Sequence, residues 1–231
     1  MRLSDQQLRL QCGILNKWFR PLSSILYSLC FSAKRASLFF SFIIAFSACT
    51  ESDDEASSLE FADWQIRNDA FFLTLEDSLN ADPTNWRKVK TYTKDENTPG
   101  VATDYVYMKM LSPGDPYAEY PLFSDTVRIS YRGRLLPSAT YPEGYVFDQT
   151  YSGTYNVHTA ASVTGIVSSY TTGFSTALQH MLRDERCRIY IPYTLGYGTS
   201  DNGVIPAYST LIFDVTLIDY ATNGEALEPW D

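Results

Sequence analysis

Between Cys187 and Leu217 the chain reads CRIYIPYTLGYGTSDNGVIPAYSTLIFDVTL, and this stretch limits the possible folds more than any other. Apolar residues alternate at Cys187, Ile189 and Ile191, and again at Leu211, Phe213, Val215 and Leu217. A period of two sends successive side chains to opposite faces, so each run predicts a strand half buried on one face of a sheet. The connection between them holds Tyr193, Tyr197, Val204, Ile205 and Tyr208, where a loop without a binding role is usually polar. An apolar guest held by this loop accounts for that composition.

The 231 residues fit one domain with appendages. Charge is spread unevenly: residues 1–48 hold six basic residues and one acidic one, and subtracting these from totals of 18 and 27 leaves 12 basic and 26 acidic from Cys49 onward. So acidic a surface repels phosphate backbones, which excludes nucleic acid as a partner. Cys12, Cys30, Cys49 and Cys187 follow no zinc-ligand spacing, and the chain has two histidines, so neither a metal nor another cofactor is expected.

Lys34-Arg35, a short apolar run from Ala36 to Ala48, and then Cys49 have the layout of a secretory signal. The ending Phe46-Ser47-Ala48-Cys49 resembles a bacterial lipobox, with Phe46 where Leu is usual, and implies lipidation at Cys49. Residues 1–48 are accordingly read as a leader and 49–57 as an acidic tether. The expected location is the bacterial cell envelope, periplasm or outer membrane, held to the membrane by lipid. The acidic run Glu51 to Glu55 fits either a solvated linker or display on the outer surface.

Phe61, Trp64, Asn68, Phe71, Phe72, Leu75 and Leu79 recur every three or four residues and predict one amphipathic helix ended by Asp82-Pro83. It belongs to a helical segment, 58–103, whose apolar face is expected to pack on the domain that follows, 104–222. Within that domain, strands are predicted at 104–111, 126–135 and 162–167. Residues 223–231 form a tail. Phe174, Ala177, Leu178, Met181 and Leu182 mark a helix opening at Thr171-Thr172-Gly173, with one face on the sheet. Several antiparallel strands and one central helix make an α+β domain.

Five blocks in order, VRISYRGRLL (127–136), VFD (146–148), GFSTALQHM (173–181), YIPYTLGYG (190–198) and IPAYSTLIFDVTLID (205–219), resemble an FKBP-type peptidyl-prolyl cis-trans isomerase. The resemblance covers about half of the chain. It implies a curved antiparallel sheet wrapped around a short helix, with an apolar pocket between them and the N-terminal helix ahead. Carried over position by position, it implies catalytic roles for Asp148, Tyr197 and Phe174, the last as pocket floor. Tyr131, Phe147, Tyr170, Thr171, Val204, Ile205 and Phe213 would then bind substrate. The implied roles are donation by the Tyr197 hydroxyl and the Thr171 N–H to substrate carbonyls, and for Asp148 either a polar contact or a grip on a neighbouring tyrosine.

The chain departs from the family pattern at Phe174, where Trp is commonest, and at Tyr170 and Thr171, where Val and Ile are usual. An aromatic wall is replaced near Ala161 or Val163, and the loop after Tyr197 is shorter by about one residue. Apart from the resemblance, Tyr131, Phe147 and Phe213 read as core aromatics, Asp148 as either a turn cap or a site residue, and His180 as a helix-surface residue. The expected partners are proline-containing polypeptides, including exported proteins during folding. The alternative is a membrane-anchored peptide-binding or chaperone module of the same fold without turnover. Oligomeric state is left open.

Overall fold

The computed structural model describes residues 60–222 and 224–229. The leader, Cys49 and the acidic tether lie outside the described residues. The apolar period that predicts one helix yields two, α1 (Trp64–Leu73) and α2 (Leu75–Ala81). The break falls at Thr74, whose hydroxyl and N–H both turn back to the Phe71 carbonyl, at 2.7 and 3.0 Å. A threonine that bonds its own preceding turn competes with the regular helical ladder. The second helix stops at Asp82, ahead of Pro83, as the sequence predicts.

Seven strands follow: β1 (Trp86–Lys90), β2 (Tyr105–Ser112), β3 (Thr126–Arg134), β4 (Val146–Gln149), β5 (Val163–Ile166), β6 (Arg186–Ile191) and β7 (Leu211–Ala221). All pairings are antiparallel, in the order β1-β2-β6-β7-β3-β4, and β5 also pairs with β3. The first strand was hidden in a segment read as helical. Lys88 and Lys90 interrupt its apolar pattern, yet Trp86 and Val89 are buried and the strand runs in register with β2.

The stretch from Cys187 to Leu217 forms two adjacent strands, β6 and β7, with Ile189 opposite Phe213 and Cys187 opposite Val215. The expected half exposure of β7 is not what the structure has: every residue from Leu211 to Ile218 is buried. Both faces are covered. Against the inner face lies α3 (Thr172–Leu178), and the opposite face of the sheet receives the aromatic side of α1 at the neighbouring strands, where Phe71 approaches Tyr190 on β6 at 5.9 Å and Phe72 approaches Tyr107 on β2 at 5.4 Å.

Two buried hydrogen bonds lock this packing. The Trp64 indole N–H donates to the Ser209 hydroxyl at 2.8 Å, and the Asn68 carbonyl oxygen accepts the Thr210 N–H at 2.7 Å. A buried polar side chain is tolerated where its capacity is filled in this way. Asn68 therefore sits inside an otherwise apolar stripe for a reason: it caps a backbone donor just ahead of β7.

The central helix is shorter than its apolar period predicts and is not amphipathic. It ends at Leu178, and all of Gly173 to Leu178 is buried. Met181, the next position in the period, is buried in the following turn instead. The polar residues of this enclosed helix bond inward, Ser175 to the Val167 carbonyl at 2.7 Å and Thr176 to the Thr172 carbonyl at 2.8 Å.

Candidate functional site

Phe174 projects from α3 and is almost wholly buried. Around it stand Phe213 from β7 at 4.9 Å, Tyr170 from the segment entering α3 at 5.1 Å, and Tyr131 from β3 at 6.2 Å between ring centroids. Phe147 on β4 extends the cluster, meeting Phe213 edge-on at 5.4 Å. Edge-to-face pairs at such separations contribute about 0.5–1.5 kcal/mol each beyond burial, so the cluster orders itself. Residues from β3, β4, β7 and the helix thus gather at Phe174, the residue that the family resemblance makes the pocket floor.

One backbone position makes that convergence possible. A Cβ on Gly133 would come within 2.5 Å of Phe213 and 2.7 Å of Phe147, so the two rings meet only because β3 carries glycine there. Glycine inside a strand marks close approach of another group, and that was the available sequence signal.

Asp148 takes the second of its two expected roles. Its Oδ2 accepts the Tyr131 hydroxyl proton at 2.6 Å and so holds the tyrosine over the floor. Burial, and then the Asp148 bond and charge, push the Tyr131 pKa well above the ordinary tyrosine value, with smaller influences from the neighbouring Tyr170 and Tyr197. The Tyr131 hydroxyl is thus committed to Asp148.

Thr171 sits just ahead of α3 with extended backbone, and its N–H makes no hydrogen bond among the described residues. The loop between β6 and β7 supplies the remaining residues. Reciprocal backbone bonds between Asn202 and Ile205, at 2.9 and 3.0 Å, form a tight turn that buries Ile205 and leaves Val204 56% exposed at its tip. Tyr197 is 42% exposed, with its hydroxyl free of any partner among the described residues. Ala161 and Val163 are exposed and build no wall. His180 bonds the Thr176 carbonyl through Nδ1 at 2.9 Å, a packing role.

Two clefts of the structure are lined by none of the clustered aromatic residues. One, of about 330 Å³, lies within the loop from Gln149 to Ala161; the other, of about 270 Å³, lies between α1 and residues 102, 103 and 193. At the aromatic site Tyr170 leans on Phe174 and takes space that a smaller Val would leave free.

Raised tyrosine pKa values predict an alkaline limit to stability. Tyr107 is pushed up to about 12 by burial and by its bond to Glu76, and Tyr131 is shifted the same way. In the unfolded chain both ionise near the ordinary value of about 10. Their contribution is complete below that pH, and it is lost as pH rises toward the folded values, because the folded state then binds more protons than the unfolded one. Urea midpoints should fall as pH rises from about 10 toward about 12, and less steeply in Tyr131→Phe.

Residues 119–218 match the family model of the FKBP-type peptidyl-prolyl cis-trans isomerase. The chain is 35% identical over 106 residues to the macrophage infectivity potentiator of Trypanosoma cruzi, covering 46% of this chain and 48% of that protein. It is 33% identical over 101 residues to the FKBP-type peptidyl-prolyl cis-trans isomerase FkpA of Escherichia coli strain K12, covering 44% of this chain and 33% of the relative. It therefore spans less than half the length of either relative. The crystal structure of FkpA from Escherichia coli aligns with a TM-score of 0.47 and 22% identity, over 74% of this chain and 65% of that one. The similarity to FKBP-type peptidyl-prolyl cis-trans isomerases thus lies at residues 119–218, the part of the chain that holds β3 to β6, α3 and most of β7.

Proposed function

We propose that the protein catalyses cis-trans isomerisation of X-Pro bonds in polypeptides at the Phe174 cluster. Rotation about an X-Pro bond is slow, tens to hundreds of seconds, because the twisted amide loses resonance at a barrier of about 18–20 kcal/mol. A catalyst needs no nucleophile for this reaction; it has to bind the twisted form better than either planar form. An aromatic floor grips the prolyl ring and excludes water that stabilises the planar, more polar amide. The observation that carries the reading is the meeting of Phe174, Phe213, Tyr131 and Phe147 beside an Asp148 that fixes Tyr131.

In this reading Asp148 is a positioning residue, Phe174 is the floor, and the Tyr197 hydroxyl with the Thr171 N–H orients substrate carbonyls. Tyr197→Phe should lower kcat/KM for a proline-containing peptide about 3- to 10-fold, the worth of one hydrogen bond. Equal isomerisation rates with and without the wild-type protein would sink the catalytic reading. A non-catalytic peptide-binding module would then remain, which the packing of Tyr170 onto Phe174 favours.

The signal-like run before Cys49 supports a lipid anchor and exported proteins as clients. Incorporation of labelled palmitate, compared with a Cys49→Ala control, tests the anchor; no difference between the two defeats it.

A further inference from the structure

Tyr170 is where the site departs furthest from a plain apolar pocket, and its surroundings are arranged to keep it there. Its ring lies on Phe174 at 5.1 Å, and its hydroxyl reaches across to β5. A Cβ on Gly165 would come within 2.5 Å of that hydroxyl oxygen and 3.1 Å of Cζ, so β5 carries glycine where the tyrosine tip lands. Burial shifts Tyr170 upward, so it stays a neutral donor at ordinary pH. Its hydroxyl makes no hydrogen bond among the described residues, whereas that of Tyr131 is held by Asp148.

We propose that Tyr170 is a substrate-anchoring residue, its hydroxyl, seated where Gly165 lacks a Cβ, donating to a backbone carbonyl beside the bound proline. The inference rests on the isomerase reading of the same site and adds a donor to it. A polypeptide lying across the cluster displaces water from around that hydroxyl, and a donor left without a partner in a dry site is costly. The two tyrosine hydroxyls not held by Asp148, those of Tyr170 and Tyr197, can then take two carbonyls of one extended segment.

An anchor of this kind binds the planar and twisted forms alike, so it acts on affinity rather than on turnover. Tyr170→Phe should raise KM and weaken binding of a proline-containing peptide about 3- to 10-fold, with kcat held. Gly165→Ala should produce a similar loss by displacing the hydroxyl. On the Tyr170→Phe background the same alanine should cost less, because the oxygen it strikes is gone and only Cζ, at 3.1 Å, is left to give way. Such non-additivity is what a shared role predicts, whereas two separate packing defects would add.

The experiment is a double-mutant cycle on the full chain, reading peptide affinity by NMR titration alongside turnover. Unchanged affinity in Tyr170→Phe, or additive losses in the cycle, overturns the anchor while leaving the isomerase reading intact. Absent turnover in the wild type, with the affinity cycle as predicted, removes the isomerase reading and keeps the anchor.

Discussion

Replacing Phe174 by alanine should both destabilise the domain and abolish its isomerase activity. The ring is buried at the meeting point of Phe213, Tyr170 and Tyr131, so its removal leaves a cavity walled by rings held on β7, on β3 and in the segment entering α3. Truncation of a buried Phe to Ala costs about 3–5 kcal/mol, visible as a lower urea midpoint at unchanged slope. To separate folding from catalysis, Phe174→Leu keeps an apolar side chain in the space. That variant should remain folded and still lose turnover, because a branched aliphatic chain offers the prolyl ring no flat floor. Full turnover in Phe174→Leu would show that the aromatic floor is not what the reaction uses.

The second large effect lies away from the site, where β1 joins the sheet. Arg87 on β1 donates through Nη2 to Glu185 Oε1 at 2.6 Å and to the Cys187 sulfur at 3.1 Å. Glu185 is almost fully buried, and its other oxygen accepts the Leu182 N–H at 2.9 Å. Arg87→Ala leaves this carboxylate in the interior with no cation beside it, a change that costs about 3–5 kcal/mol. Chemical denaturation should show that loss. The double variant Arg87→Met with Glu185→Gln should recover much of it, since a charged pair replaced by neutral groups of similar volume is often close to neutral. A small effect of Arg87→Ala would mean that the pair is solvated when the chain is in solution.

Much of this fold is legible in the sequence because the strands and helices that matter carry clean periods. Where the sequence misleads, the reason is a neighbour from far along the chain. Strand β7 is covered by partners its own alternation does not show: Arg188 on β6 bonds Asp214 at 2.6 and 3.0 Å, and Trp64 and Asn68 on α1 bond residues 145 and 142 positions later, just ahead of the strand. Strand β1 is masked by Lys88 and Lys90, which face solvent and side-chain partners such as Glu76. The split at Thr74 depends on a local hydroxyl bond that an apolar period does not register.

The site divides in the same way. Phe174, Phe213, Tyr131 and Phe147 meet as the family resemblance implies, and Asp148 holds a tyrosine, one of its two expected roles. Ile205 turns inward while its neighbour Val204 turns out, a difference set by the tight turn rather than by either side chain. Gly133 and Gly165 carry no functional group; a glycine inside a strand signals that some group approaches, and only the structure shows that it is the rings of Phe213, Phe147 and Tyr170.

The central claim is that the Phe174 cluster turns over X-Pro bonds, and exchange NMR on a proline-containing peptide tests it most directly. Without a catalyst the cis and trans forms interconvert over tens to hundreds of seconds and give separate signals with no exchange between them. Addition of a catalytic amount of the full chain should produce cis-trans exchange cross-peaks, and Phe174→Leu at the same concentration should not. Absence of exchange at stoichiometric wild-type protein, with the peptide demonstrably bound, would contradict the claim.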